Sequence, residues 1–291
     1  IFQVYEQLLS TTQVFKLAQL VDFYRTTIAS ATSPACPLCT ALDRCYAEAT
    51  RVFTAQISAT AAKLRESPPV PLGDLAPPAQ VTEVCKLIDE LLRSRYETIG
   101  MSDSADISTS LADRLITPLL TSAFAGAQQV LRDSDAIAVY LINVTDEVLA
   151  TLSRYGSMRA QCEGLSEQVE GQLDTMMTAH ARATLSRSGL GALLRCVDEN
   201  VAISNAVLAQ TRPSLHLLAN DTLPTCDLIR NFDRRTSFKR RLSYYISSKY
   251  RLVYEAVHAF NGNTTDGGKK FLSFTPRDID VSVHIFLFIK E

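Results

Sequence analysis

The stretch SPACPLCTALDRC, residues 33–45, sets three cysteines within ten positions, two of them as Cys36-Pro37-Leu38-Cys39. Such a pair can open a thiol oxidoreductase site, form half of a zinc site, or mark the start of a helix. The flanking residues decide between these readings and, with them, the fold class. Upstream, Val4, Leu8, Phe15, Leu17, Leu20, Val21, Tyr24 and Ile28 recur at spacings of mostly three and four, the stripe of an amphipathic helix. That helix should end near Ala31, because Ser33 precedes Pro34 and is pushed out of helical geometry. A thioredoxin-like site follows a strand in a βαβ unit, and no strand pattern stands there. Downstream, Leu38, Leu42, Cys45, Ala49, Val52, Phe53, Ile57, Ala61 and Leu64 form a second stripe, with proline tolerated in its first turn. Cys39 and Cys45 lie three residues to either side of Leu42, within or beside this stripe, where free cysteine packs as a small hydrophobe. A zinc site would need further ligands at set spacing, and His180, His216, His258 and His284 are dispersed. The cysteine pair therefore reads as a proline-marked junction between two long helices.

The rest of the chain repeats the theme. Residues 67–78, SPPVPLGDLAPP, hold five prolines in twelve positions and must be a loop or extended crossover. Helical patterns follow over about 79–99, 106–131, 134–155, 157–187, 189–197, 202–218 and 230–260. Asp106 and Asp133-Ser134 are start signals, while Gly156 and Gly189 read as stops or turns. Pro118 falls inside the 106–131 pattern and predicts a kink or a split into two helices. The final VSVHIFLFIKE (281–291) fits either a short helix or an extended tail. No fixed-period repeat and no sustained heptad is visible. The reading is an all-α chain, an elongated stack of helical bundles, with a soft boundary near Gly156 dividing 1–155 from 156–291.

Composition agrees. The 291 residues are 46% hydrophobic and 21% charged, with 29 basic and 31 acidic side chains and a net charge of −2. This is a globular balance, without whole-protein attraction to nucleic acid or anionic lipid. No run approaches the roughly 18 apolar residues that span a bilayer. The opening IFQVYEQLL has no basic n-region and begins in mid-pattern, as expected of a piece of a longer protein. Seven cysteines without scaffold spacing favour a reducing cytosolic compartment. The triplets at Asn143, Asn220 and Asn263 then read as chance matches to a glycosylation acceptor.

Signatures of catalysis are missing: there is no nucleophile elbow, phosphate-cradling glycine loop or paired-histidine zinc helix. Ser188-Gly189-Leu190-Gly191 is too short for a nucleotide loop and reads as an interhelix turn. No catalytic group, cofactor or metal is expected. Leu173, Met176, Met177, Ala181 and Leu185 form a stripe that reads as core rather than as an adaptable groove. The most partner-like feature is residues 230–251, RNFDRRTSFKRRLSYYISSKYR. Arg230, Arg234, Arg235, Lys239, Arg240, Arg241, Lys249 and Arg251 stand there against a single acid, Asp233. Tyr244, Tyr245 and Tyr250 are interleaved. Basic residues among aromatics suit an acidic partner helix, an anionic membrane surface or nucleic acid. The competing reading is a solvated face whose Phe238, Leu242, Tyr245, Leu252 and Val253 pack inward.

The order of segments carries a resemblance. LAQLVDFYRTTI (17–28), PLGDLAPPAQVTEV (71–84) followed by KLIDELLRSR, LADRLITPLLTSAFAGA (111–127), DSDAIAVYLINVTDEV (133–148), QLDTMMTAHARATLSRSGL (172–190) and SSKYRLVYEAV (247–257) occur in one collinear set. This set resembles the C-terminal half of the sixth subunit of the conserved oligomeric Golgi complex. The resemblance implies a rod of helical bundles of the type shared by multisubunit vesicle tethers, the CATCHR fold. It implies a non-catalytic subunit on the cytosolic face of the Golgi membrane, acting in retrograde intra-Golgi transport. The partners it implies are neighbouring subunits, SNARE proteins, and Rab or coat proteins, with no nucleic acid. Two stretches depart from the family pattern: Cys36/Cys39, and NGNTTDGGKKFLSF (261–274), which looks like a loop insertion. The alternatives are a membrane-surface or nucleic-acid module working through 230–251, and a thiol oxidoreductase at Cys36 and Cys39.

Overall fold

A computed structural model describes residues 9–32, 36–97, 111–210, 225–262, 272 and 275–280. The described residues are helices and connecting turns, with no strand among them, so the chain is all-α. It forms two compact units, Ile1–Val169 and Glu170–Glu291. Val4, Leu8, Asp106, His216, His284, Asn220, Asn263, most of 261–274 and all of 281–291 lie outside the described residues.

In the first unit, α1 (Thr11–Ala31) starts at a capping box. The Ser10 hydroxyl accepts from the Gln13 amide, and the Gln13 side chain accepts from the Ser10 amide at 2.8 Å, satisfying two orphan donors of the first turn. Helix α1 buries Val14, Phe15 and Ala18 against α2 (Pro37–Glu66) and α3 (Ala79–Glu97), with Phe15 stacked on Phe53 at 5.1 Å. Polar ties to α3 run from Thr12 to Glu90 and from Ser94 to Gln19. The sequence stripe is corrected here. Leu20 and Tyr24, expected in the core, are about half exposed, because the packed face runs through Val14 and Ala18 instead. Helix α2 begins as expected, with Cys36 as its cap and Pro37 in the first turn. Its buried line runs Cys39, Ala49, Val52, Ile57, Ala61 and Leu64, while Leu38, expected to start the line, faces solvent.

The proline-rich connection 67–78 is a loop, as expected, yet only part of it lies at the surface, where Val70, Leu72 and Asp74 are exposed. Pro69, Pro71, Leu75 and Ala76 are buried. A buried irregular backbone must find partners for its carbonyls. The Tyr140 hydroxyl donates to the Pro69 carbonyl at 3.0 Å, and Asn143 Nδ2 donates to the Leu75 carbonyl at 2.9 Å. Both donors project from α5 (Ser134–Leu152), which is buried nearly all round and begins at the Asp133 cap. The loop also runs flush against Gly126 of α4 (Thr117–Val130), where an added Cβ would lie 2.9 Å from the Pro69 carbonyl carbon. Within the 106–131 pattern the expected split at Pro118 is replaced by a change of helix type: a π-helical turn, Ala112–Ile116, runs directly into α4, Ile116 keeps helical angles, and the proline occupies the first turn of α4.

The Gly156–Met158 turn lies inside the first unit, and α6 (Arg159–Leu185) contains the division between units. In the second unit, a π-helical turn at Ser186–Leu190 separates α6 from α7 (Gly191–Asp198). Gly189 stands there at φ 84°, a left-handed conformation that suits glycine. Helix α8 (Asn205–Gln210) and the turn Cys226–Leu228 lead to α9 (Phe232–Gly262). The core line of α9 is Phe238, Leu242, Ile246, Tyr250, Val253 and Val257. Tyr245 and Leu252, expected to point inward, flank that line instead, and Leu252 is 45% exposed. Leu173, Met176, Ala181 and Leu185 of α6 are buried, which is the core role expected of that stripe.

Candidate partner-binding surface

Helix α9 carries all of the basic run except Arg230, so its 3.6-residue period sorts those cations onto different faces. On the flanks of the core line they meet acids of the same unit. Glu170 receives Arg234 at 2.7 Å and Arg241 at 2.8 Å, and Arg241 also pairs with Asp174. Lys239, with a side chain only 9% exposed, reaches Asp227 at 2.9 Å. Lys249 pairs with Asp198 at 2.6 Å and lies over the Tyr245 ring. Arg235 donates to the carbonyls of Asp227 and Ile229 and stacks over Phe232. These side chains fasten α9 to α6, α7 and the 226–228 turn. A half-buried ammonium or guanidinium is tolerated because a carboxylate replaces its lost water.

The outward face differs. Arg240 is exposed, and among the described residues no acid pairs with it. Tyr244, one turn on, is 76% exposed, the highest value of any large apolar or aromatic side chain among the described residues. Arg251 is two turns further and meets the half-buried Asp280 at 3.4 Å. Arg230 is exposed ahead of the helix. The sequence groups the eight cations and Tyr244 as one surface; the helix separates them into an inner set that faces acids or carbonyls and an outer set of Arg240, Tyr244 and Arg251, with Arg230 ahead of the helix. The acids Glu170, Asp174, Asp198 and Asp227 were not foreseen. Glu170 lies 64 residues from Arg234 in sequence, and no local pattern signals such a pairing.

The cysteine pair is placed as the helix junction. Cys39 is 4% exposed, with its sulfur 3.6 Å from the Thr32 hydroxyl, and Cys36 is the partly exposed cap. The element before them is α1, not a strand. Elsewhere, burial pushes the Cys85 thiol up to about 11, partly offset by a Thr151 hydrogen bond. Burial also raises Cys162, helped by neighbouring Glu163. Neither is poised as a thiolate near neutral pH. Among the described residues no three His, Cys, Asp or Glu side chains gather in a way that could hold a metal ion. Asn143 is 3% exposed and its amide nitrogen is committed to Leu75, so this triplet is not a glycosylation acceptor in the folded chain.

Comparison with known proteins locates this architecture. The family profile described as "Conserved Oligomeric Golgi complex subunit 6, C-terminal" matches residues 1–283. Among curated relatives, conserved oligomeric Golgi complex subunit 6 of Drosophila melanogaster is 26% identical over 72% of this chain and 33% of its own length. The Dictyostelium discoideum protein of the same name is 22% identical over 84% of this chain and 39% of its own length. The Homo sapiens one is 24% identical over 79% and 33%. The chain thus spans between a third and two-fifths of the length of these relatives. Because the profile runs through every described helix of both units, the chain belongs to the conserved oligomeric Golgi complex subunit 6 family, by its C-terminal region.

Proposed function

We propose that this chain is a non-catalytic scaffold within a Golgi vesicle-tethering subunit. In this reading its helix faces hold neighbouring subunits of that complex, with SNARE, Rab or coat proteins as further partners, in retrograde intra-Golgi transport. The observation that carries the proposal is the family match over residues 1–283, which is collinear with the helices. Scaffolding needs rigid helices that offer apolar and aromatic anchors to solvent. Leu20, Phe23 and Tyr24 on α1 and Tyr244 on α9 are exposed anchors of that kind. Attachment would be peripheral, on the cytosolic face and through partners; among the described residues no helix is long and apolar enough to cross a membrane. The test is a pull-down of the chain with the other subunits of the complex and with SNARE cytoplasmic domains. Retention of at least one subunit is expected, and recovery of none overturns the proposal.

A membrane-surface or nucleic-acid role for 230–251 draws less support. Such binding relies on a dense field of uncommitted cations. Here Arg234, Lys239, Arg241 and Lys249 face carboxylates at 2.6–2.9 Å.

A further inference from the structure

Scaffolding makes no use of the Cys36-Pro37-Leu38-Cys39 turn, yet its two sulfurs hold a defined pair of positions. Cys36 is the N-cap of α2, at φ −60° and ψ 130°, and Pro37 is the first helical residue, which makes Cys39 the third. The Cys36 carbonyl accepts from the Thr40 amide at 3.2 Å, so the turn that joins them is closed. N-cap and third residue are the positions whose side chains reach each other's backbone in a capping box. Ser10 and Gln13 do so at the head of α1, at 3.3 and 2.8 Å. In α2 both positions are cysteine, and the Cys36 side chain makes no capping hydrogen bond. Two residues so spaced lie about 5 Å apart, Cα to Cα, inside the roughly 4.4–6.8 Å that a disulfide bridges. Cys45, the next cysteine, is about 9 Å further along the axis and out of reach.

The two sulfurs differ in access. Cys36 is half-buried, and Pro37 and Leu38 beside it are exposed. Cys39 is buried beneath Thr32, the C-cap of α1, whose hydroxyl lies 3.6 Å from its sulfur. An incoming small disulfide therefore meets Cys36 first and leaves Cys39 to act second, from within the turn. The Thr32 hydroxyl also donates to the Ile28 carbonyl at 2.8 Å, so it stays paired when the Cys39 thiol gives up its proton. In a reducing compartment a pair of this kind closes transiently, in response to oxidant, rather than as a permanent cross-link.

We infer that Cys36 and Cys39 are a reversible dithiol–disulfide site, closed by exchange with a small-molecule disulfide of the glutathione type. Cys36 Sγ attacks one sulfur of the small disulfide, passes its proton to the departing thiolate and keeps the other half as a mixed disulfide. Cys39 Sγ then attacks Cys36 Sγ, forms the bond within the turn and releases the second half as a thiol. Two electrons and two protons pass from the pair to the small disulfide. The test incubates the folded full chain in glutathione buffers from fully reduced to fully oxidised, quenches in acid and alkylates the remaining thiols. Trypsin cuts after Arg25 and Arg44, so one peptide holds both cysteines and excludes Cys45. The fraction of that peptide lacking both thiol hydrogens should rise from below about 10% to above about 50% across the series, and fall back on adding dithiothreitol. Cys39→Ser should stop at the glutathione adduct on Cys36. Cys36→Ser, which installs a stronger N-cap and so keeps the helix, should leave Cys39 unmodified. Alkylation of both cysteines in every buffer overturns the inference, as does a wild-type adduct on Cys36 that never closes, or a bond from either cysteine to Cys45. None of these results bears on subunit capture, so the scaffolding reading is tested separately.

Discussion

Asn143→Ala should destabilise the first unit measurably, although it deletes only a small polar group. Asn143 is 3% exposed, and its Nδ2 donates at 2.9 Å to the carbonyl of Leu75, itself 5% exposed. Truncation leaves that carbonyl buried without its donor, which costs roughly 1–3 kcal/mol. Leu75 also stands at φ 55°, outside the ordinary range of an L-residue. That conformation costs roughly 1–2 kcal/mol and persists only while its surroundings hold it. Part of this strain can relax once the bond is gone, so the two quantities do not add, and the expected loss is about 2 kcal/mol. For a unit of this size, at roughly 2–4 °C per kcal/mol, the melting midpoint should fall by about 4–8 °C. Differential scanning calorimetry or urea denaturation followed by circular dichroism reads it directly. Asn143→Asp separates hydrogen bonding from packing, because it keeps the volume but sets a carboxylate oxygen against the Leu75 oxygen. It should lose more than the alanine variant. Tyr140→Phe removes the second tether, at Pro69, and the double variant should lose less than the sum, since either change releases the same loop. A midpoint within about 1 °C of the wild type for Asn143→Ala, or a milder effect for Asp than for Ala, would refute the clamp as the reason residues 67–78 are ordered.

Two further outcomes follow from the described chemistry. Burial raises Tyr140 and Tyr250 to about 12, and Cys85 to about 11, from ordinary values of 10.0 and 9.0. The unfolded chain therefore releases these protons first, so stability present below about pH 9 should be lost as pH rises towards about 12, by up to about 1.4 kcal/mol per pH unit per group. Urea midpoints at about pH 8 and about pH 11 check this, and Tyr140→Phe or Tyr250→Phe should flatten the fall. In the second unit, Glu170→Gln removes the carboxylate shared by Arg234 and Arg241. Since Glu170 is 46% exposed, the loss should be near 1 kcal/mol and should shrink as salt rises from about 0.05 to about 1 M. A salt-independent loss would mean that the pairs act through packing rather than charge.

Much of the helical order was legible because each signal was local. Pro37 after Cys36, Pro118 at the head of α4, Asp133 before α5 and Gly189 at the π-turn each act within one helical turn of themselves. Periodicity placed Ile57, Ala61, Leu64, Phe238 and Leu242 correctly, for the same reason. It failed at Leu20, Tyr24, Leu38 and Leu252, where an apolar stripe is wider than the strip a neighbouring helix covers. Which edge of the stripe is covered depends on the neighbour, and one helix's sequence does not contain that information. The loop 67–78 shows the same limit. Its prolines announced an irregular segment, but its burial depends on Gly126, Tyr140 and Asn143, which are distant in sequence.

The basic run was the hardest stretch to read because charge, unlike apolarity, does not say which way a side chain points. Eight cations against one acid describe a binding surface only if the compensating acids are absent in space as well as in sequence. They are absent in the 22-residue window but present across the second unit, at Glu170, Asp174, Asp198 and Asp227. Helical period alone could have divided the set. Taking Phe238 and Leu242 as inward places Lys239 and Arg241 beside the core line, where an unpaired charge is costly. It places Arg240 and Tyr244 opposite that line, free of any such demand. Cations flanking an apolar stripe therefore predict distant acids in the same unit, whereas those opposite it carry no such requirement. On this reasoning, residues 230–251 divide by direction: an inner edge fastens α9 to the acids of its unit, and on the outer edge Arg240 and Tyr244 stand in solvent while Arg251 meets Asp280.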